Sequence, residues 1–385
     1  MKRTFCIVLA LLMLLALAGC SQPAAPSPSA APAEAPGTEQ ETPAQPDAAN
    51  TEAPSDAEEP LKVALLVPGN LGDKSFFDMA NAGMTLVKET LGAETKVVEM
   101  GTDQTKWEPT LLDFAEQDWD IIITGNVEIF DLLQQTALDH PEKYFINFDT
   151  SKEEVTPNMY SAFYKTNELS YMAGALAALK AKEAGETKIG FIGGMDIPGI
   201  NDFLIGYIQG AQYVMPEVKV AVSYAGSFTD AAKGKEHAIA MYNSGVGIIY
   251  QAAGQTGLGV IDAAKELNKL VIGVDSDQAA AFIDSDPAKA DCIITSAVKR
   301  IDECILRAVS EHRSGQLYGH YEALGVKENG VGLAKNEIYK KLESADDQAK
   351  IDEIESKIAA GEITIDTAFG KETSEIEALR NSVRP

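Results

Sequence analysis

Leu270-Val271-Ile272-Gly273-Val274-Asp275-Ser276-Asp277-Gln278 is an apolar run that stops abruptly in two carboxylates. A short apolar run bounded by glycine and polar residues reads as a buried parallel strand, and open α/β sheets place ligands beyond the C-terminal ends of such strands. The run therefore carries Asp275 to a position where ligands bind. No histidine, cysteine or Ser-His pairing stands beside it to supply chemistry, so the reading is binding rather than catalysis.

The same pattern recurs on both sides. Residues 62–67, 96–100, 121–124 and 144–148 read as strands, separated by amphipathic stretches beginning near Ser75, Trp107 and Val127, and 159–163 reads as a fifth, weaker strand. A helix over 168–183 leads to a second series, with strands at 188–192, 218–224, 247–250, 270–274 and 292–296 and helices at 201–214, 233–244 and 257–267. Alternation of this kind predicts parallel sheets covered by helices on both faces, here as two α/β units of similar size. After Ala297 another helix is expected. The remainder is more polar, with helix signals at 337–342 and 347–360 and breaks at Gly361 and Gly370; its periodicity argues for packing.

The N-terminus does not belong to the globule. Lys2 and Arg3 precede an apolar run over 5–17, the length of a signal-peptide core, and Leu17-Ala18-Gly19-Cys20 resembles the lipobox of bacterial lipoproteins. Residues 1–19 are thus expected to be a lipoprotein signal peptide and Cys20 the lipidated residue. Over 20–60 the chain is rich in Pro, Ala and Glu, too poor in apolar surface to offset its ordering entropy, and reads as a disordered tether. Coil statistics give it a reach of roughly 35 Å. The expected location is the extracytoplasmic face of a bacterial cell membrane, through a lipid anchor.

With 385 residues the chain can bury a sizeable core, and its formal charge of −26 opposes binding to nucleic acid or to an anionic membrane surface. Of its four cysteines, Cys6 falls in the signal and Cys20 at the lipid site. Cys292 lies in an apolar run and Cys304 in a helical pattern, which favours two separately buried thiols over a bridge.

Residues 67–77 follow the first strand and open the first helix, with Ser75 placed to cap it; glycines and free helix N–H groups there suit a ligand or an ordinary turn. Gly254-Gln255-Thr256-Gly257-Leu258-Gly259 imitates a dinucleotide fingerprint but lies mid-domain, and Gly234-Lys235-Glu236 lacks the Ser or Thr of a phosphate loop. The histidines His140, His237, His312 and His320 are scattered without metal-ligand spacing, and there is no Gly-x-Ser-x-Gly elbow. Neither a metal nor a cofactor is expected.

Lys188-Ile189-Gly190-Phe191-Ile192-Gly193-Gly194-Met195-Asp196-Ile197-Pro198 begins a run of motifs that continues through residues 224–230, 232–236, 251–254, 257–260 and 271–278. Together with Asp73-Lys74-Ser75-Phe76 and Thr295-Ser296-Ala297-Val298-Lys299-Arg300, it resembles the basic membrane protein family, lipoprotein substrate-binding components of ABC importers similar to the purine nucleoside receptor. The resemblance covers about residues 62–335. It implies an α/β protein of the type I periplasmic-binding-protein fold, with two doubly wound parallel-sheet lobes and a ligand cleft between them. Lobe 1 would span 61–164, completed by about 297–320; lobe 2 would span 165–296; residues 321–385 would form a C-terminal crossover and helical segment.

By the same resemblance Asp275 accepts from ribose hydroxyls, a role suited to a carboxylate with two oxygens. Lys299 sits at the sugar, Gly254 gives close backbone approach, and Phe76 stacks on a base. Phe203 or Phe228 would supply a second ring, while Asp73 and Asp149 would meet the base edge. The sequence departs from the family where Phe77 replaces the usual Asn after Asp-Lys-Ser-Phe, with Asn81 one helical turn on as a substitute, and where Thr124-Gly125-Asn126-Val127 replaces Gly-Val-Gly-Phe; Asn126 joins the ligand-binding candidates.

The implied function is a monomeric, non-enzymatic binding protein that captures a nucleoside, purine by preference, and delivers it to an ABC permease. Alternatives are a sugar or signalling molecule in the same fold, a surface sensor lipoprotein with no transport role, and a nucleoside hydrolase using Asp73 and Asp275 as paired carboxylates.

Overall fold

The computed structural model describes residues 59–385, so the expectations for residues 1–58, Cys20 included, lie outside the described residues. From there the chain alternates strand and helix: β1 (Lys62–Val67), α1 (Phe76–Leu91), β2 (Glu94–Glu99), α2 (Trp107–Glu116), β3 (Ile121–Thr124), α3 (Phe130–Asp139), β4 (Tyr144–Asn147) and β5 (Met159–Tyr164). It then continues through α4 (Thr166–Glu183), β6 (Lys188–Gly193), α5 (Pro198–Val214), β7 (Lys219–Tyr224), α6 (Ala231–Asn243), β8 (Ile248–Ala252), α7 (Thr256–Leu267) and β9 (Leu270–Asp275). Short helices α8 (Gln278–Phe282) and α9 (Pro287–Ala290) precede β10 (Ile293–Lys299), α10 (Ile301–Ser310), β11 (His320–Leu324) and β12 (Val331–Leu333). The chain closes with α11 (Glu337–Leu342), α12 (Ala345–Ala359) and α13 (Thr373–Val383).

The strands form two six-stranded sheets, ordered β11-β5-β4-β3-β1-β2 and β12-β10-β9-β8-β6-β7. Every pairing in the first sheet is parallel, and in the second only β10 with β12 is antiparallel. Ala64, Leu65, Leu66, Ile121, Ile122 and Ile123 are fully buried whichever face they point to. Burial on both faces is what a helix-covered parallel sheet requires, and it explains runs such as Ile121-Ile122-Ile123 that alternate with nothing polar.

The chain passes between the sheets three times, after β5, after β10 and after β11. The crossings lie side by side: Lys165 N–H donates to Leu324 O at 3.0 Å, and Arg300 N–H to Gly330 O at 2.9 Å. Against the expectation of a helix directly after Ala297, β10 runs on to Lys299. Ala297 and Val298 pair with Val274 and Asp275 of β9 on one side and with Leu333 and Gly332 of β12 on the other, and Lys299 pairs with Val331 of β12 alone, a contact too distant in sequence for local pattern to announce.

In the second lobe α4 and α5 pack backbone against backbone. A Cβ on Gly210 would lie 1.8 Å from Tyr171 O, so only glycine permits this approach. The C-terminal region packs, as its periodicity argues: Ile351, Ile354 and Ile358 of α12 and Val383 of α13 join the core. Cys292 and Cys304 are both free and buried.

Candidate functional site

The site begins with the loop between β1 and α1. Asp73 turns its carboxylate onto the first turn of α1 and accepts from the backbone N–H groups of Ser75 (2.9 Å), Phe77 (3.0 Å) and Asp78 (3.2 Å). Those donors have no partner within the helix, so the aspartate caps them. Burial pushes the Asp73 carboxyl up to about 6, against the pull of the three donors. Ser75, expected to be the cap, makes no side-chain cap bond, because Asp73 has taken that role. Its hydroxyl reaches the other lobe and donates to Asp275 Oδ2 at 2.7 Å.

Asp275 ends β9 with φ +62°, a left-handed conformation unusual for a residue with a Cβ. It lies beside Val298 on the neighbouring strand, one residue before Lys299. Lys299 Nζ donates to Asp149 Oδ2 at 2.7 Å and stands 3.8 Å from Asp275 Oδ1. Three rings surround this ammonium: the centroids of Phe76 and Phe203 at 5.2 Å and of Tyr164 at 5.8 Å. Cations favour such ring faces, and the rings also exclude water.

The charges at this point are unequally matched. Burial opposes the Lys299 ammonium, but the carboxylates of Asp149 and Asp275 outweigh it and hold its pKa above the usual lysine value. Asp275 moves the other way from an ordinary ion-paired acid: burial pushes its carboxyl up, and Lys299 and Ser75 only partly offset this. The reason is geometric. Lys299 Nζ is within hydrogen-bond reach of Asp149 but stands too far from Asp275 Oδ1, which is buried with no hydrogen-bond partner.

Of the sequence-derived candidates, the structure thus brings Phe76, Asp149, Phe203, Asp275 and Lys299 together. Gly254 and Phe228 form a separate group on the second lobe: Gly254 has φ +55°, and a Cβ there would stand 3.4 Å from Phe228 O. The Phe228 ring lies over Gly194, where a Cβ would meet it at 2.3 Å. Asn126 uses its side-chain oxygen to accept from Glu128 N–H (3.0 Å) and Ile129 N–H (3.2 Å), which shapes the turn into α3. Asn81 is half-buried on α1. Phe77 packs edge-on to Phe76 with centroids 5.1 Å apart, and its ring lies against Gly69.

Three participants escaped sequence reasoning. Tyr164 ends β5 as an ordinary core strand residue would, and Phe148 supports the Phe76 ring from 5.3 Å. Lys74 O receives Ser276 Oγ–H at 2.7 Å and Gln278 Nε2–H at 3.1 Å, so the opening stretch Ser276-Asp277-Gln278 fastens to the first lobe as well. Asp277, the second carboxylate of that stretch, accepts from Asn336 Nδ2 and from Ala280 N–H. For Ser276, Asp277 and Gln278 the sequence signal was polarity at the end of a strand; the two rings carried none.

Two lobes of parallel sheet, with buried opposite charges and aromatic rings where they meet, define a solute-binding protein that encloses a small molecule. The sequence pattern of the Bmp family, described as ABC transporter substrate-binding protein PnrA-like, matches residues 61–368, and the chain belongs to that family. It is a family of substrate-binding proteins, not of enzymes. The chain is 32% identical to the ABC transporter nucleoside-binding protein BmpA of Lactococcus lactis, over 77% of this chain and 88% of that one. It is 30% identical to basic membrane protein A of Borreliella burgdorferi, over 79% and 87% respectively. Among solved structures, an ABC transporter solute-binding protein of Aeropyrum pernix superposes with a TM-score of 0.72 at 27% identity, covering 84% of this chain and 100% of that one. The fold is that of the periplasmic solute-binding proteins.

Among the described residues no group of three or more His, Cys, Asp or Glu could hold a metal ion, and no helix is long and apolar enough to cross a membrane.

Proposed function

We propose that this protein is a membrane-tethered receptor that closes its two lobes over a nucleoside and presents it, as a monomer, to the permease of an ABC importer. The observation that carries the reading is Asp275 Oδ1, a buried carboxylate oxygen without a donor. Buried acceptors in native proteins are almost always satisfied, and a ribose hydroxyl is a donor of the right kind. Phe76 and Phe203, with faces turned to the same ammonium, supply flat apolar surface suited to a base. The nucleoside-binding name of the Lactococcus lactis relative supports the same class.

Tethering rests on the lipobox-like Leu17-Ala18-Gly19-Cys20, and an archaeal relative from Pyrococcus furiosus, 32% identical, is named a lipoprotein. Intact-mass measurement of the membrane-extracted protein tests it: acyl chains on the Cys20 peptide support the anchor, and a free Cys20 thiol removes it.

A second reading, a hydroxylated ligand without a base, is favoured by one observation: Phe77 stands where the family commonly has a polar side chain, and its ring is committed to packing on Gly69. Calorimetric titration of the full chain, stripped of bound ligand by unfolding and refolding, separates the two. Adenosine, guanosine, cytidine and uridine are titrated, then ribose. One-to-one binding of a nucleoside but not ribose supports the receptor. Binding of ribose alone selects the second reading, and binding of nothing in the panel overturns both.

A further inference from the structure

The C-terminal helix α13 lies beyond the residues that match the family, yet its Arg380 reaches the loop after β6 and the start of α5. Arg380 sets both terminal nitrogens on Asp196, Nη1 on Oδ2 at 2.8 Å and Nη2 on Oδ1 at 2.6 Å, while Nη2 also donates to Asn201 Oδ1 at 3.2 Å. Its guanidinium lies 4.8 Å over the Tyr224 ring, and the Tyr224 hydroxyl donates to the same Asn201 oxygen at 2.6 Å. Asp196 belongs to the loop after β6, and Asn201 to the first turns of α5.

The next residue, Asp202, is 1% exposed and is also held from the C-terminal segment. Thr367 Oγ–H and Ala368 N–H donate to its Oδ1, while Thr166 Oγ–H and Asn167 N–H, at the first crossing, donate to its Oδ2. Phe203, one of the rings around Lys299, follows directly. The start of α5 therefore has its position fixed by residues 367–380, not by its own lobe alone.

We propose that Arg380 is a positioning residue for ligand binding: through Asp196 and Asn201 it holds the first turns of α5, and so sets the Phe203 ring against Lys299. A bidentate guanidinium-carboxylate pair fixes orientation as well as distance, which an ammonium cannot reproduce. The effect on ligand rests on the receptor reading above, whereas the hold on α5 does not.

The test compares the wild-type full chain with R380Q, R380K, D196N and the R380Q/D196N double variant. The readouts are affinity for the same four nucleosides, melting temperature, and amide exchange over residues 198–205 without ligand. The expected result for R380Q is about five- to tenfold weaker binding, faster exchange confined to residues 198–205, and a melting temperature close to wild type. R380K should not restore binding, and the double variant should be no worse than R380Q, since Arg380 acts through Asp196. Wild-type exchange at 198–205 in R380Q overturns the proposal. So does a loss of protection spread evenly over the second lobe, or faster exchange at 198–205 with unchanged affinity. If the wild-type protein binds none of the nucleosides, the receptor reading falls, and the exchange over 198–205 still decides whether Arg380 holds α5.

Discussion

The hydroxyl of Ser75, at the mouth of the first lobe, donates to Asp275 Oδ2 across the cleft at 2.7 Å, so the residue placed to cap a helix is instead a bond between lobes. When the lobes separate this bond breaks and Asp275 is left with Lys299 alone. Ser75→Ala should therefore speed ligand release roughly tenfold, the worth of one hydrogen bond to a charged group, while Asp73 keeps α1 capped and the melting temperature holds. Stopped-flow dissociation measures it; an unchanged release rate would show the bond to be dispensable.

Asp275→Asn keeps the shape and removes the charge. Affinity should fall roughly 30- to 100-fold, because an amide can accept at one atom only and without charge assistance. Stability should stay level or rise, since burial already opposes the carboxylate. Calorimetry paired with thermal melts checks both, and a variant that binds normally would remove Asp275 from the site.

Phe76→Leu distinguishes base from sugar. Stacking on a base is worth about 1–3 kcal/mol per base, so nucleoside affinity should drop by about tenfold or more. Equal loss across all four nucleosides is expected, because every base offers a face. Undiminished binding would place the base elsewhere, with Phe228 over Gly194 the next ring to test.

A pH dependence resides far from the cleft. Glu343, between α11 and α12, has a fully enclosed side chain, its nearest cation is Lys180 Nζ at 3.6 Å, and burial pushes its carboxyl up to about 7. Lys180 opposes that rise, while Asp347 and Glu183 add to it. A carboxyl with a higher pKa folded than unfolded holds its proton better in the folded state. Its contribution is fully present below the ordinary glutamate value and is lost as pH climbs to about 7. Glu343→Gln should raise the melting temperature relative to wild type at pH 8 and show no such gain at pH 4; parallel curves would exclude this group.

Gly210→Ala probes the α4–α5 contact. Its Cβ would fall 1.8 Å from Tyr171 O, a backbone atom that cannot step aside without moving a helix. A loss of about 2 kcal/mol or more is expected, a drop of about 3 °C or more in melting temperature for a folded region of this size. An unaltered melt would mean that α4 and α5 part without cost.

The fold was legible because its signals are local. Apolar runs ending in glycine or carboxylate gave the parallel strands other than β11, and the helices from α1 to α7 were found to within a few residues. Asp275 was readable as a strand-end group, whereas Lys299, expected within the helix after Ala297, was reached only through the family motif. What stayed hidden depended on partners far along the chain. β10 gained its last residue from β12, Ser75 lost its cap to Asp73 and found Asp275 some 200 residues away, and α13 is polar enough to pass as tail until Glu372 and Glu375 close its capping box. Local periodicity carries no information about such pairings.

Tyr164 and Lys299 are each the last residue of a strand, one position before the chain passes to the opposite lobe. The Lys299 ammonium and the Tyr164 ring that it lies over are thus mounted beside the crossings themselves. On the receptor reading, a change at these crossings alters how many molecules are closed and leaves the geometry of the closed form as it is. The dissociation constant observed is the intrinsic one divided by the fraction of molecules already closed. Substitutions at Lys165 or Arg300 should on this account shift selectivity hardly at all while moving affinity for all four nucleosides by the same factor, which calorimetric titration measures.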